Sequence, residues 1–442
     1  MDGDLTVGNI TGRLLKFAFP LMVGNVLQQF YNVADTLIVG RFLGTDALAA
    51  VGSSYTLMTF LTSIVIGLCM GSSAYFAIQF GRKDYESLNR GIFLSFVLIG
   101  FFTLILNVFV FVSLPWIITV LQVPLEIQGM IKEYLVCIFL GLSATFFYNF
   151  FANLLRGVGN SLTPLIFLGV SALLNIFLDI IFVVVFSWGV RGAAAATVIA
   201  QYVSGIGIGI YYYFGFPMLR VKKHHMHWDG GILKEIFSLS FLTCLQQSVM
   251  NFGILMVQGL VNSFGTVIMA AFAAAVKIDT FAYMPVQDFG NAFSTFVAQN
   301  YGAGKKERIR EGMKRSLVFI FVFCGIISVL VCLFAKPLMG IFVEAENQEV
   351  ILAGVGYLRI EAAFYFGIGL LFLLYGYYRG VKKPGMSVVL TVCSLGTRVA
   401  LAYVLSGIPS VGVTGIWAAI PIGWVLADAV GACYYFGVMH RE

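Results

Sequence analysis

The stretch "QFGRKDYESLNRG" at 79–91 returns as "NYGAGKKERIREG" at 300–312, with Gly81 falling on Gly302 and Gly91 on Gly312. Two more stretches repeat in the same order. "LLRGVGNSLTP" (154–164) matches "YYRGVKKPGMS" (377–387), which sets Arg156-Gly157 on Arg379-Gly380, and "GVRGAAAAT" (189–197) matches "GVTGIWAAI" (412–420). The separation is 221 to 223 positions throughout, so the chain is a duplication. A hydrophobic chain built from two homologous halves usually places a binding site within or between its lobes and works by moving one against the other, the design of secondary transporters.

Of 442 residues, 60% are hydrophobic and 11% charged, far from the roughly 25% charged of a soluble domain. Apolar runs long enough for a ~20-residue spanning helix occur at about 14–40, 52–80, 91–114, 128–155, 162–187, 192–214, 235–264, 269–300, 316–336, 350–378, 386–407 and 412–438. They lack the alternating pattern of an outer-membrane barrel, and lipid offers unpaired backbone groups no partner, so helices must do the spanning. The expected fold is all-α and integral to the membrane. It has twelve transmembrane helices: an N-lobe over 1–214, a cytoplasmic linker over 215–234 and a C-lobe over 235–442.

The first apolar run carries an Asp and is followed by no small-residue cleavage site, so it reads as an uncleaved first helix. The seven Cys show no C-x-x-C spacing and fall in or beside apolar runs, which argues for packing rather than disulfides or zinc. With the N-terminus inside, twenty Lys and Arg lie on cytoplasmic segments, Arg441 among them, against Arg41, Lys132, Arg191 and Lys336 outside. The positive-inside rule then puts both termini in the cytoplasm. The net charge of +6 follows from this bias and from contact with anionic membrane lipids; no basic stretch calls for nucleic acid. The linker holds His224, His225 and His227 in "RVKKHHMHWDG", a sequence that suits a solvated connection better than a metal site.

Ionisable side chains at membrane depth cost roughly 2.5–3.5 kcal/mol each, so every one is a functional candidate. In the first half these are Asp35 and Asp179, and Asn175 lies one helical turn before Asp179 on the same face. Polar residues can serve as interhelical glue. The alternative is a cation site, favoured because the helices of this half contain no Lys or Arg to neutralise two carboxylates, which then share a proton or a metal ion. In the second half Lys277, Asp279, Asp288, Glu361, Arg398 and Asp428 carry both signs and are expected to pair largely among themselves; otherwise Asp279, Asp288 or Asp428 lines the pathway. Pro20, Pro285 and Pro421 fall inside apolar runs, where each removes a backbone hydrogen bond and can bend its helix.

"FPLMVGNVLQQFYNVADTLIVGRFLGTDALAAVG" (19–52), "QNYGAGKKE" (299–307), "LLRGVGNSLTP", "LNIFLD" (174–179) and "GVRGAAAAT" together resemble the multidrug and toxic compound extrusion (MATE) family, from about 12 to 438. The resemblance implies two six-helix lobes around a central cavity, and antiport of lipophilic or cationic small molecules against H⁺ or Na⁺. It carries no further cofactor and implies a monomer in the cytoplasmic (inner) membrane. Motifs are nearest the DinF-like branch, which implies an N-lobe cation site of Asp35, Asn175, Asp179 and Thr197, with the Ala193 carbonyl as a further ligand. It also implies cavity-wall and gating roles for Pro20, Gln28, Tyr31 and Asn149. A NorM-like sodium site is not matched, since helix seven has no acid after Glu235 and none lies between Glu361 and Arg379. The alternative is a lipid or lipid-linked oligosaccharide flippase of the related superfamily, whose pyrophosphate head group calls for a cationic cavity. An enzyme finds no support, with neither an H-E-x-x-H pair nor a G-x-S-x-G elbow.

Overall fold

A computed structural model describes residues 3–120 and 125–439. His440 and Arg441 lie outside the described residues. The elements are α1 (Ile10–Leu43), α2 (Thr45–Arg82), α3 (Tyr85–Val120), α4 (Leu125–Leu140), α5 (Leu142–Gly157), α6 (Leu162–Asp179), α7 (Gly189–Gly215), α8 (Gly230–Asn262), α9 (Thr266–Gly302), α10 (Lys306–Met339), α11 (Gln348–Ala362), α12 (Tyr365–Gly380), α13 (Pro384–Ser406) and α14 (Val413–Met439). Among the described residues there is no strand.

Among the described residues eleven spans are long and apolar enough to cross a bilayer as they stand, and the bent pair α11–α12, angled by 52°, taken as one span makes the twelfth. The expected all-α, two-lobe membrane architecture is the one observed. Lipid is required by what faces outward. On α3, Phe101, Leu104, Val108, Phe109 and Val112 form an exposed stripe at helical spacing, a patch no water-soluble surface tolerates.

The chain divides into two compact units: residues 1–4 with Phe19–Cys244, and Leu5–Ala18 with Leu245–Glu442. In the first unit Phe96, Phe146 and Phe150 pack ring against ring, with Phe76 edge-on to Phe150. In the second, Phe289 stacks on Phe319 at 4.4 Å. The short segment before α1 belongs to the second unit for a polar reason. Leu5 N–H donates to Gln299 Oε1, its carbonyl accepts from Asn300 and Arg308, and Thr6 O accepts from Lys305 Nζ at 2.8 Å. The "QNYGAGKK" repeat motif thus supplies the clamp on its own lobe.

The duplication is visible in the backbone. Left-handed residues recur in register: Gly44 with Gly265, Lys83 with Gly304, Gly159 with Lys382, and Gly189 with Gly412. Both halves also break the same span, between α4 and α5 at Gly141 and between α11 and α12 at Ala363–Phe364. The repeated glycines mark helix crossings. A Cβ on Gly91 would meet the Tyr75 ring at 2.2 Å, and one on its counterpart Gly312 would meet Phe296, the counterpart of Tyr75, at 2.3 Å. Small residues at membrane-helix contacts let backbones approach closely.

A glycine of the second unit that faces backbone tests this. A Cβ on Gly376 would sit 2.4 Å from the Gly290 carbonyl oxygen, which is backbone and has no rotamer to move, whereas a Cβ on Gly356 meets nothing. Gly376→Ala is expected to destabilise by about 1–3 kcal/mol through overpacking, and Gly356→Ala to be neutral or stabilising by up to ~1 kcal/mol. Thermal unfolding of both variants in detergent checks the pair; equal melting temperatures would contradict the crossing.

Candidate functional site

The first unit gathers its candidate residues from three helices. Asp35 comes from α1, Asn175 and Asp179 from α6, and Thr197 and Ala193 from α7. Asp179 is fully buried and Asn175 is 1% exposed. Asp179 is also where α6 loosens: residues Ile180–Val185 continue as a π-helical turn, a distortion that clusters at functional positions.

The hydrogen bonds run in one direction. Tyr31 OH and Asn175 Nδ2 both donate to Thr197 Oγ1, at 3.4 and 3.1 Å, and Thr197 donates on to the Ala193 carbonyl at 3.1 Å. The bonds these three side chains donate therefore go to threonine or backbone and not to a carboxylate. The acceptors are left over. Asp35 Oδ1, Asn175 Oδ1 and both oxygens of Asp179 are buried and, among the described residues, receive no hydrogen bond. The carboxyl groups of Asp35 and Asp179 lie within electrostatic reach of each other, and a hydrogen bond between them requires that one of them holds a proton. Acceptors without donors at one point suit a proton or a hard cation with oxygen ligands.

The other expected positions are placed less closely. Gln28 is exposed on α1 and Pro20 half-buried. Asn149, on α5, spends its side-chain amide on the Thr145 carbonyl one turn back. A residue the sequence reading missed is Tyr134 on α4, buried within electrostatic reach of Asp35, Asp179 and Tyr31. Its signal was available: 223 positions on stands Tyr357.

In the second unit Arg398 lies within electrostatic reach of Asp279 and Glu361, without a direct ion pair to either. Lys277 is exposed on α9, two residues and roughly 200° around the helix from buried Asp279. Among the described residues no ion pair within 4.0 Å joins Asp279, Glu361 or Arg398. Tyrosines take that place, Tyr365 OH donating to Asp279 Oδ1 at 2.7 Å and Tyr357 OH to Oδ2 at 3.4 Å. Asp288 on α9 and Asp428 on α14 are buried as well.

In the linker His224 and His227 are exposed, as a solvated connection requires, and His225 is the exception. His225 is 3% exposed. Its Nδ1 accepts the Lys222 N–H at 2.9 Å, which leaves the proton on Nε2 to donate to Glu86 Oε2 at 3.0 Å. Glu86, His224 and His225 cluster closely enough to suggest a metal site. The donor set does not fit one, because the His225 nitrogen facing Glu86 carries a proton and not a lone pair. Nearby, Asp229 opens α8, accepting backbone N–H bonds from Ile232 and Gly231 and a side-chain bond from Arg90. Those bonds, the Ile232 one first, hold its carboxyl below the ordinary aspartate range despite some desolvation.

The MatE family model matches residues 20–181 and 239–404. "Probable multidrug resistance protein YpnP" of Bacillus subtilis is 27% identical over 98% of this chain and 96% of its own length. "Probable multidrug resistance protein NorM" of Thermotoga maritima is also 27% identical, over 93% of this chain and 89% of its own. A solved structure described as an outward-facing conformation of a multidrug resistance MATE family transporter superposes with a TM-score of 0.89 at 23% identity, covering 100% of this chain and 98% of that one. The repeat, the twelve spans and the family match over both halves lead to one statement: the chain belongs to the MATE family of membrane transporters.

Proposed function

We propose that this transporter is a secondary active multidrug exporter, which antiports lipophilic or cationic compounds against H⁺ or Na⁺ by alternating access. The observation that carries the reading is the acceptor-only cluster of Asp35, Asn175 and Asp179. The names of the bacterial relatives, multidrug resistance proteins, support the substrate class. Both termini face the cytoplasm, in keeping with the twenty-to-four bias of Lys and Arg. A flippase for pyrophosphate-linked lipids would want cationic walls, and the first unit's cluster is acidic.

In this reading the coupling cation acts by charge. Two carboxylates roughly 4 Å apart repel by about 4 kcal/mol at an effective dielectric near 20. Moving a two-state balance from 1:99 to 99:1 takes about 5.5 kcal/mol. One proton or one Na⁺ at the pair is therefore of the right size to bias the outward-releasing state, provided it binds one state better than the other. Asp35 transmits the change along α1. Pro20 lies fifteen residues earlier, about 22 Å along the helix, at a position that lacks an N–H and so bends cheaply. The α1 helix passes from one compact unit to the other between Ala18 and Phe19, beside that proline.

Thermal unfolding tests the site without transport. A bound cation raises the stability of wild type by about 2.7 kcal/mol at a hundredfold excess over its Kd. Asp179→Asn is expected to melt higher than wild type at low Na⁺ and neutral pH, since one of two facing charges is gone, and to lose the rise given by Na⁺ or by acidification. An undiminished rise in Asp179→Asn would make the pair structural.

Transport itself is tested with proteoliposomes. Efflux of a fluorescent lipophilic cation is expected to follow an imposed gradient of either H⁺ or Na⁺, and Asp35→Asn and Asp179→Asn, verified as folded, are each expected to abolish that coupling. Wild type indifferent to both gradients, or full coupling in both variants, would overturn the antiport reading.

A further inference from the structure

The first unit carries an open groove of about 900 Å³, within the roughly 300–1,000 Å³ of small-ligand sites. Lys132, Glu133, Val136 and Leu140 line it from α4, and Trp188 and Arg191 from around the start of α7. Since α7 runs from Gly189 at the groove to Gly215 at the linker, about 40 Å on, the groove stands at the membrane face opposite the linker.

Its cations need a reason. The charge bias leaves four Lys and Arg outside against twenty within, and Lys132 and Arg191 are two of those four, although the outer side of a membrane protein is ordinarily poor in them. Arg191 Nη2 donates to Glu133 Oε1 at 3.0 Å. That bond uses one of the five guanidinium N–H groups. Among the described residues no other ion pair within 4.0 Å involves Arg191, and none involves Lys132. Two cations against one carboxylate leave the groove a formal charge of plus one. The free N–H groups of a guanidinium beside an ammonium fit a phosphate better than any other common anion.

Further along α4 the wall turns apolar. Lys132, Val136 and Leu140 are spaced by four and so share one stripe, which runs about 12 Å toward the middle of the bilayer. Val136 is 37% exposed and Leu140 57%. Trp188 marks the boundary between charge and hydrocarbon. Half-exposed, it stacks on Phe182 at 4.8 Å and lies 5.4 Å from the Phe186 ring, as in the aromatic belts found at the level of lipid head groups. Its turn is distinctive, with φ +54° at Ser187 before it and +62° at Gly189 after it; a non-glycine residue in that region is uncommon.

These groups are not part of the copied scaffold. With the 223-residue spacing that relates Gly189 to Gly412, Asn175 to Arg398 and Asp179 to Ala402, the residues Lys132, Trp188 and Arg191 fall on Val355, Val411 and Thr414. The cations and the ring belong to one half alone.

We propose that this groove binds one anionic phospholipid from the leaflet opposite the linker. Its phosphate meets Lys132 and Arg191, and an acyl chain follows Val136 and Leu140 past the Trp188 ring. Glu133 orients the guanidinium and leaves its other N–H groups to the phosphate. Nothing in this depends on the coupling cation, so its test uses no gradient.

Bromine quenches tryptophan on contact, so Trp188 reports its own lipid. Purified protein in phosphatidylcholine vesicles is given rising fractions of phosphatidylglycerol or of phosphatidylcholine brominated on the acyl chain. Subtracting the same series in Trp188→Phe isolates that residue from the other tryptophans. Half-quenching of Trp188 is expected at an at least fivefold lower fraction of the brominated phosphatidylglycerol. The double variant Lys132→Gln, Arg191→Gln is expected to reduce this preference to within twofold. Gly129→Leu keeps every charge and fills only the groove, since a Cβ there meets nothing in the protein; it is expected to weaken quenching by phosphatidylglycerol at least threefold. Should the double variant fail to fold, Gly129→Leu carries the test alone. Equal quenching of wild type by the two lipids, a preference kept in the folded double variant, or unchanged quenching in Gly129→Leu would each overturn the proposal. So would relief of the quenching by millimolar glycerol phosphate, which would make the groove a site for soluble anions.

Discussion

Lipid accepts no hydrogen bonds and donates none, and most of the architecture follows from that constraint. The chain meets it first with helices, which satisfy their own backbone. Polar side chains within the spans then turn to the backbone of the same or a neighbouring helix, as Ser73 does to the Asn153 carbonyl and Asn107 to the Phe139 carbonyl. Against that background a buried oxygen with no donor is informative, because nothing in the surroundings makes it cheap. Asp179 and Glu361, one in each unit, are the cases in which both carboxylate oxygens are left over among the described residues.

Duplication explains where these groups stand. The second half repeats the first in its left-handed turns, its broken span and its glycine–aromatic crossings, so the scaffold was copied with its packing contacts. Packing contacts constrain both partners at once, which is why Gly91 and Tyr75 have counterparts of similar size in Gly312 and Phe296. Side chains outside those crossings lack that mutual constraint. Asn175 could become Arg398, and Asp179 could become Ala402, without disturbing a helix crossing.

Much of the fold was legible because it depends on properties that act residue by residue. Apolar runs gave the twelve spans, and the repeated motifs gave the two lobes. The acids of the first half were legible for the same reason, since a charge in an apolar run stands out alone. What the sequence could not show is which helices touch. Tyr134 looks like any aromatic in a membrane helix until the fold brings it within electrostatic reach of Asp35 and Asp179. Lys277 and Asp279 look equally buried in sequence, yet their angular separation leaves one exposed and the other between two tyrosines. His225 reads as a solvated linker residue, and only the fold shows a backbone N–H holding its ring toward Glu86.

The two units surround their buried acids differently. In the first, Asp35, Asn175 and Asp179 present oxygen acceptors that receive no hydrogen bond among the described residues, an environment in which charge density decides what is favourable. In the second, Asp279 and Glu361 share a cavity with Arg398 and aromatic rings, where a resident guanidinium already offsets part of the negative charge and the rings reward apolar body and delocalised charge over charge density. One copied scaffold thus carries two solvation environments for a buried carboxylate, because the side chains that set them lie outside the glycine–aromatic crossings that both copies must keep.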